Sequence, residues 1–206
     1  RKNKRTDIQH IMKLKQGYLV VLSAPSGTGK TTICKKLLEI NKDWKFSISA
    51  TTRDKRKGEK EGIDYFFMPK DKFDHRVRFG DFLESEWVHG NQYGSPIGPI
   101  EDALDNNHII LFDVDVKGGY NIKDEFEDHV ISIFIEPPGE EIPDKILILE
   151  DRLTKRGNEN TTLIKQRLKR FETEMTFKDK FDYHFVNDNL KKVVSDIDET
   201  IKRNIK

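Results

Sequence analysis

The chain is poor in several features that would assign it to a class at once. It has one cysteine, Cys34, in 206 residues. No disulfide can close within it, and a reducing compartment, the cytoplasm, is the expected setting. It has almost no net charge: 37 basic residues stand against 36 acidic ones. That balance removes the global field that draws a chain to nucleic acid or a lipid surface, so neither is an expected partner and any anion site has to be local. No apolar run approaches the ~20 residues that a membrane-spanning helix needs. There is no internal repeat and no low-complexity stretch, and the six histidines show no metal-ligand spacing. The one strongly biased segment is residues 1–16, with six Lys or Arg against Asp7 alone. It lacks the apolar stretch of a secretory signal, and the expectation is a disordered basic tail.

What is present is an alternation of apolar strands and helices. Tyr18–Ser23 is a short apolar run closed by turn residues, the mark of a buried strand. From Gly29 to Ile40, Ile33, Leu37 and Leu38 recur at helical spacing. Trp44–Ser49 alternates apolar and polar residues at strand period. Tyr65–Met68, Ile109–Val114, Val130–Ile135 and His184–Val186 read as further strands. Helices are expected over Lys70–Phe82, Ile146–Arg156, Thr162–Phe177 and Leu190–Ile205. Strand–helix alternation predicts an α/β fold with a parallel sheet flanked by helices. Residues 49–98 differ in texture, being aromatic, polar and Gly-punctuated, and read as an insertion into that core.

The most specific motif joins the first strand to the first helix: Ser23-Ala-Pro-Ser-Gly-Thr-Gly-Lys-Thr-Thr32. Gly27 and Gly29 allow successive N–H groups to point inward, and the helix N-terminus adds its dipole, so the turn can cradle a polyphosphate. In such a P-loop, Pro25, Ser26, Gly27, Thr28, Gly29, Lys30, Thr31 and Thr32 hold the triphosphate, Lys30 reaches the β- and γ-oxygens, and the Thr31 hydroxyl ligates Mg2+. The strict pattern opens with glycine, whereas this chain has Ala24. An alanine there either adopts an ordinary backbone conformation or is mildly strained.

The motifs beyond the loop narrow the reading. Ser49-Ala-Thr-Thr-Arg53, Arg56, Gly58-Glu59, Gly62, Asp64-Tyr65, Glu84, Tyr93-Gly-Ser95, Asp113-Val-Asp115, Arg152, Arg156-Gly157 and Val186-Asn-Asp188 together resemble the signature of the guanylate kinase family. The resemblance runs from about residue 17 to the C-terminus. It implies a P-loop NTPase core (17–48, 99–137 and 160–206), a GMP-binding insertion (49–98) and a mobile lid (138–159). It implies ATP and Mg2+ as co-substrate and cofactor, GMP and dGMP as acceptors, and a monomer or homodimer.

By that resemblance Arg53, Arg56, Tyr65 and Tyr93 hold the GMP phosphate, a task suited to planar guanidinium forks and hydroxyl donors. Taken alone, 53–61 also reads as a solvated charged loop, since it contains Asp54, Glu59 and Glu61. Glu84 is assigned to guanine, whose N1–H and exocyclic amine offer paired donors to one carboxylate, with Ser49, Ser95 and Asp115 completing the base contacts. Asp113 and Asp115, two apart at a strand end, share a side. Asp113 is assigned to the Mg2+ shell through water, with capping of the following helix as its alternative role. Arg152, Arg156 and Arg167 are the arginines expected to stabilise the migrating phosphoryl group, and Asn187 is placed near the ATP adenine. The stretch 139–143 looks like an extra piece in the lid. Related scaffold domains without activity lose the P-loop lysine or the lid arginines; Lys30, Arg152 and Arg156 are all present here.

Overall fold

The computed structural model describes residues 17–88, 90–126, 129–155 and 161–205. The basic segment 1–16 and the pair Arg156-Gly157 lie outside the described residues.

The central sheet is parallel and has five strands: β1 (Leu19–Ser23), β2 (Lys45–Ser47), β7 (Ile110–Asp113), β8 (Val130–Glu136) and β9 (Tyr183–Val186), in the order β2-β7-β1-β8-β9. Every residue of β1 and β8 is buried, which explains why both read as continuous apolar runs instead of alternating ones. The strand period still sorts the side chains. Leu19 and Val21 join one apolar cluster with Ile97, Ile100, Leu104, Ile122 and Phe126, while Val20 and Leu22 join the other with Ile33, Leu37, Val193, Ile197 and Ile201. Helices α1 (Lys30–Ile40) and α8 (Leu190–Asn204) therefore cover one face, and α3 (Ile97–Asp105) and α4 (Val116–Phe126) the other. Cys34 is a buried member of the α1 face. No helix among the described residues is long and apolar enough to cross a membrane.

A second, mixed sheet has the order β4-β3-β6-β5, from β3 (Ala50–Thr51), β4 (Phe66–Phe67), β5 (Phe82–Val88) and β6 (Asn91–Pro96). Its small core is Ala50, Phe73 and Phe82. The helix expected over Lys70–Phe82 is α2 (Lys70–Arg78). Gly80, at φ 69°, turns the chain back, and Phe82 opens β5, where it stacks on Phe73 at 4.6 Å between ring centroids. The apolar spacing of Phe73, Val77 and Phe82 suits a helix, but it is satisfied here by a helix and a strand packed on each other across the turn Phe79, Gly80 and Asp81.

Two other helices also differ. α5 (Ile142–Lys155) starts four residues before the expected Ile146 and draws 142 and 143 of the supposed extra piece into its first turn. Pro143 is tolerated there because first-turn N–H groups have no intrahelical acceptor. The single helix expected over Thr162–Phe177 is two: α6 (Thr161–Leu168) and α7 (Phe171–Met175). At the break the Arg170 N–H bonds the Arg167 carbonyl, a tightened turn that buries Phe171.

Candidate active site

β1 lies at the centre of a sheet whose order runs outward on both sides, and ligands of open α/β sheets bind at the carboxyl ends of such strands. The loop after β1 occupies that position. Gly27 and Gly29 have φ of 90° and 100°. A Cβ on Gly29 would stand 2.6 Å from the Asn187 Nδ2, so that position excludes a side chain twice over. Ala24 is not among the residues with positive φ and packs in the α1-side core, which resolves its backbone as ordinary. The buried Thr28 hydroxyl donates to the Pro25 carbonyl at 2.7 Å and braces the loop from within.

Three side chains meet at the loop's mouth. Lys30 Nζ lies 2.5 Å from Asp113 Oδ1 and donates to the Val114 carbonyl at 2.5 Å. The Thr31 hydroxyl donates to Asp113 Oδ2 at 2.7 Å. Burial opposes the lysine charge, but the Asp113 carboxylate overcomes it and holds the ammonium above the ordinary lysine range. Thr32 lies one residue further along α1, is exposed and stays outside the cleft.

One cleft runs from this loop to the second sheet. It gathers Pro25 to Thr31, Ser49, Arg53, Arg56, Tyr65, Glu84, Tyr93, Asp113, Asp115 and Arg167. Residues distant in sequence thus line a single space, with the phosphate loop at one end.

The far wall holds a buried carboxylate. Glu84 is 7% exposed and accepts the Ser95 hydroxyl at 2.7 Å. Burial pushes its pKa up to about 7, against the Ser95 hydrogen bond that lowers it, and with Asp115 and Glu86 adding to the rise. Ser95 is fully buried behind Glu84 and orients it without lining the cleft. A Cβ on Gly118 would lie 2.8 Å from Glu84 Oε2, so glycine at the start of α4 leaves room for the carboxylate. Asp115 Oδ1 accepts the Gly118 N–H at 2.8 Å. Helix capping, weighed for Asp113, therefore falls to Asp115. Its other oxygen, Oδ2, is buried without a hydrogen-bond partner among the described residues, an orphaned acceptor of the kind a donor-bearing ligand satisfies.

Between these ends sits an aromatic and cationic wall. Arg53 Nη1 and Nη2 donate to the two Glu59 oxygens at 3.0 and 2.8 Å, and its Nε donates to the Tyr93 hydroxyl at 3.3 Å. Its guanidinium lies 5.2 Å from the Tyr65 ring centroid. Glu59 also accepts the Arg56 N–H at 2.7 Å, and its pKa is lowered because the Arg53 and Arg56 contacts outweigh its burial. Burial beside Asp113 raises the Tyr65 phenol well above its ordinary range, so it stays a neutral donor. Glu59, quoted in the Gly58-Glu59 motif without a role, is the clamp on Arg53. The signal was its place six residues after Arg53 and next to Gly58, at φ 90°.

The arginines separate. Arg167 lines the cleft and donates to the Ser26 hydroxyl at 3.3 Å. Arg152 lies behind the loop instead, donating to the Thr28 carbonyl at 3.2 Å and the Asn187 carbonyl at 3.0 Å. Asn187 is buried there too, and its Nδ2 donates to the Thr28 carbonyl at 2.7 Å. Both side chains support the back of the phosphate loop and neither lines the cleft. Arg156 lies outside the described residues. Glu174, which no motif flagged, does line the cleft. Its Oε2 accepts the Ser26 N–H at 3.4 Å, and burial raises its pKa to about 7.

Comparison with known proteins agrees with this geometry. A family model described as Guanylate kinase takes in residues 16–204. The guanylate kinase of Chlorobium chlorochromatii is 41% identical over 185 residues, covering 90% of this chain and 94% of its own. That of Clostridium tetani is 38% identical, over 91% of this chain and 86% of its own. The crystal structure of guanylate kinase from Anaplasma phagocytophilum superposes with a TM-score of 0.73 at 31% identity, over 92% of this chain and 86% of that one. With the family model covering nearly the whole chain and relatives near 40% identity along it, this chain belongs to the guanylate kinase family.

Proposed function

We propose that the chain transfers the γ-phosphoryl group of ATP to the phosphate of GMP, giving ADP and GDP, with dGMP as a second acceptor. The observation that carries this reading is the cleft itself, which joins a phosphate loop to a buried carboxylate 54 positions further along the sequence, from Lys30 to Glu84. Guanine presents two adjacent donors to such a carboxylate. Adenine presents an acceptor and leaves the buried oxygen unpaired, at a cost of about 1–3 kcal/mol. Ser49 and the orphaned Asp115 Oδ2 supply further acceptors at the same end.

In this reading Arg53, Arg56, Tyr65 and Tyr93 grip the GMP phosphate, with Glu59 holding the Arg53 fork in plane. The loop N–H groups and Lys30 hold the ATP phosphates, and Arg167 faces the transferring group. The hard oxygens of Thr31 and Asp113, 2.7 Å apart, suit Mg2+, which when bound supplies neutralisation of charge on the β- and γ-phosphate oxygens. No general base is required, because the acceptor phosphate oxygen is already largely ionised. Catalysis is then positioning, charge stabilisation and exclusion of water. Residues 49–98 act as the GMP-binding subdomain and 138–159 as a lid that closes over the nucleotides, in the reducing cytoplasm. Matching small-angle scattering profiles with and without both nucleotides would rule the closure out.

The direct test is ADP release with GMP, dGMP, AMP, CMP and UMP as acceptors. GMP is expected to lead. A preference for AMP would overturn the role given to Glu84, and no ADP with any acceptor would overturn the enzyme.

A further inference from the structure

Glu86 lines the same cleft and has no role in the reading above. It follows Glu84 by two on β5, where burial alternates: Ser85 and Trp87 are exposed, while Glu84, Glu86 and Val88 turn inward. Across the sheet its partner is Tyr93. Directly paired residues of antiparallel strands stand on the same face, so Glu86 and Tyr93 project together into the cleft.

That register defines what Glu86 can reach. The base end is marked by Glu84 and Ser95, joined at 2.7 Å. The phosphate end is marked by the Tyr93 hydroxyl, which accepts from Arg53 at 3.3 Å. A step of two residues along a strand is about 7 Å. A glutamate side chain is also shorter than a tyrosine's, so the Glu86 carboxylate stops short of the phenol oxygen. A nucleotide bound at both ends lays its sugar across this gap. One carboxylate oxygen, Oε1, accepts the Asn121 Nδ2 at 3.1 Å, which fixes the side chain from α4. The other, Oε2, makes no hydrogen bond within the described residues. Ribose hydroxyls are neutral donors, and a charged acceptor that is held in place and open on one side is their natural counterpart.

Building on the GMP assignment, we infer that Glu86 accepts a hydrogen bond from a ribose hydroxyl of the acceptor nucleotide and so selects for an intact sugar diol. Glu86 is then a specificity residue for the sugar, distinct from the base-reading Glu84.

The test compares kcat/KM for GMP, 2′-deoxy-GMP and 3′-deoxy-GMP in the wild type, E86A and E86Q. In the wild type, GMP is expected to exceed at least one deoxy nucleotide by about tenfold, the worth of a hydrogen bond to a charged acceptor. The nucleotide that loses identifies which hydroxyl is bound. In E86A that ratio is expected to collapse towards one. In E86Q, whose amide oxygen still accepts, it should fall in between, and E86Q carries the same test should E86A not fold. The inference is overturned if both deoxy nucleotides match GMP in the wild type, or if the ratio survives in the variants. Failure of the wild type to phosphorylate any of the three overturns the GMP assignment instead.

Discussion

The two ends of the cleft are built by opposite strategies. The donor end is eight consecutive residues, Ala24 to Thr31, and its chemistry is mostly backbone: a loop turned by two left-handed glycines into a helix start. The acceptor end draws Ser49, Arg53, Arg56, Tyr65, Glu84, Tyr93 and Asp115 from across 67 positions of sequence, and its chemistry is side-chain. A phosphate is the same on every nucleotide, so a generic backbone nest serves it. A base has to be told from other bases, which takes buried groups that are costly to leave unpaired. The lesson is that the contiguous end defines the reaction and the dispersed end defines the substrate.

That division predicts separable failures. The largest is expected for Lys30→Ala. Removing the cation that meets the phosphates should lower kcat by on the order of 10²–10³ or more, while GMP binding, measured by calorimetry, survives. Loss of GMP binding as well would break the separation between the two ends.

Glu84→Gln should act on the other side. It swaps one acceptor for a donor facing guanine, and kcat/KM for GMP should fall about 100-fold, with AMP gaining relative to GMP. The same residue predicts a pH effect on the free protein. Its folded pKa is about 7 against an ordinary 4.5, so between those values the folded state binds the proton more tightly than the unfolded one. Stability from this group is therefore lost as pH rises from about 4.5 to 7, and Glu174, also raised to about 7, adds in the same direction. Thermal melts of wild type and E84Q should diverge across that window, the variant declining less. Parallel melting curves would show that Glu84 does not titrate there.

Smaller effects sharpen the comparison. Glu59→Ala removes the two-point carboxylate grip on the Arg53 fork, and the KM for GMP should rise about tenfold with little change in the KM for ATP. Equal changes in both would place Glu59 outside the acceptor end. Smallest of all is Ala24→Gly, which restores the strict motif. Since Ala24 already has an ordinary backbone, glycine adds unfolded-state freedom and removes a buried methyl, and Tm should drop by a few degrees, corresponding to about 1–2 kcal/mol. A rise in Tm would mean that Ala24 is strained.

Much of this is legible in the sequence, for identifiable reasons. Tyr18–Ser23, Ile109–Val114 and Val130–Ile135 announce buried parallel strands because such strands are apolar on both faces. Lys70–Phe82 misled because a period of apolar residues does not say whether one element or two satisfy it, and the turn between them is only Phe79, Gly80 and Asp81. Glu59 stood in a motif without a role and Glu174 in none, because the meaning of an acid in a loop or helix lies in its partner, which is Arg53 in one case and the Ser26 N–H in the other. Arg152 is assigned to the migrating phosphoryl group by resemblance, and resemblance does not reveal that its guanidinium donates to the Thr28 and Asn187 carbonyls behind the loop.

What the sequence determined by itself is the chemistry that follows from local order: the phosphate loop, the strands around it and the use of a triphosphate. The loop's two glycines and the helix start that follows favour its conformation from within the segment. What only the tertiary structure decided is where buried charge resides. The pKa of Glu84, the orphaned oxygen of Asp115, the clamp of Glu59 on Arg53 and the inward turn of Glu86 all depend on what is packed beside them. Desolvation and hydrogen bonding act through space, and the chain's order does not encode those distances until it has folded.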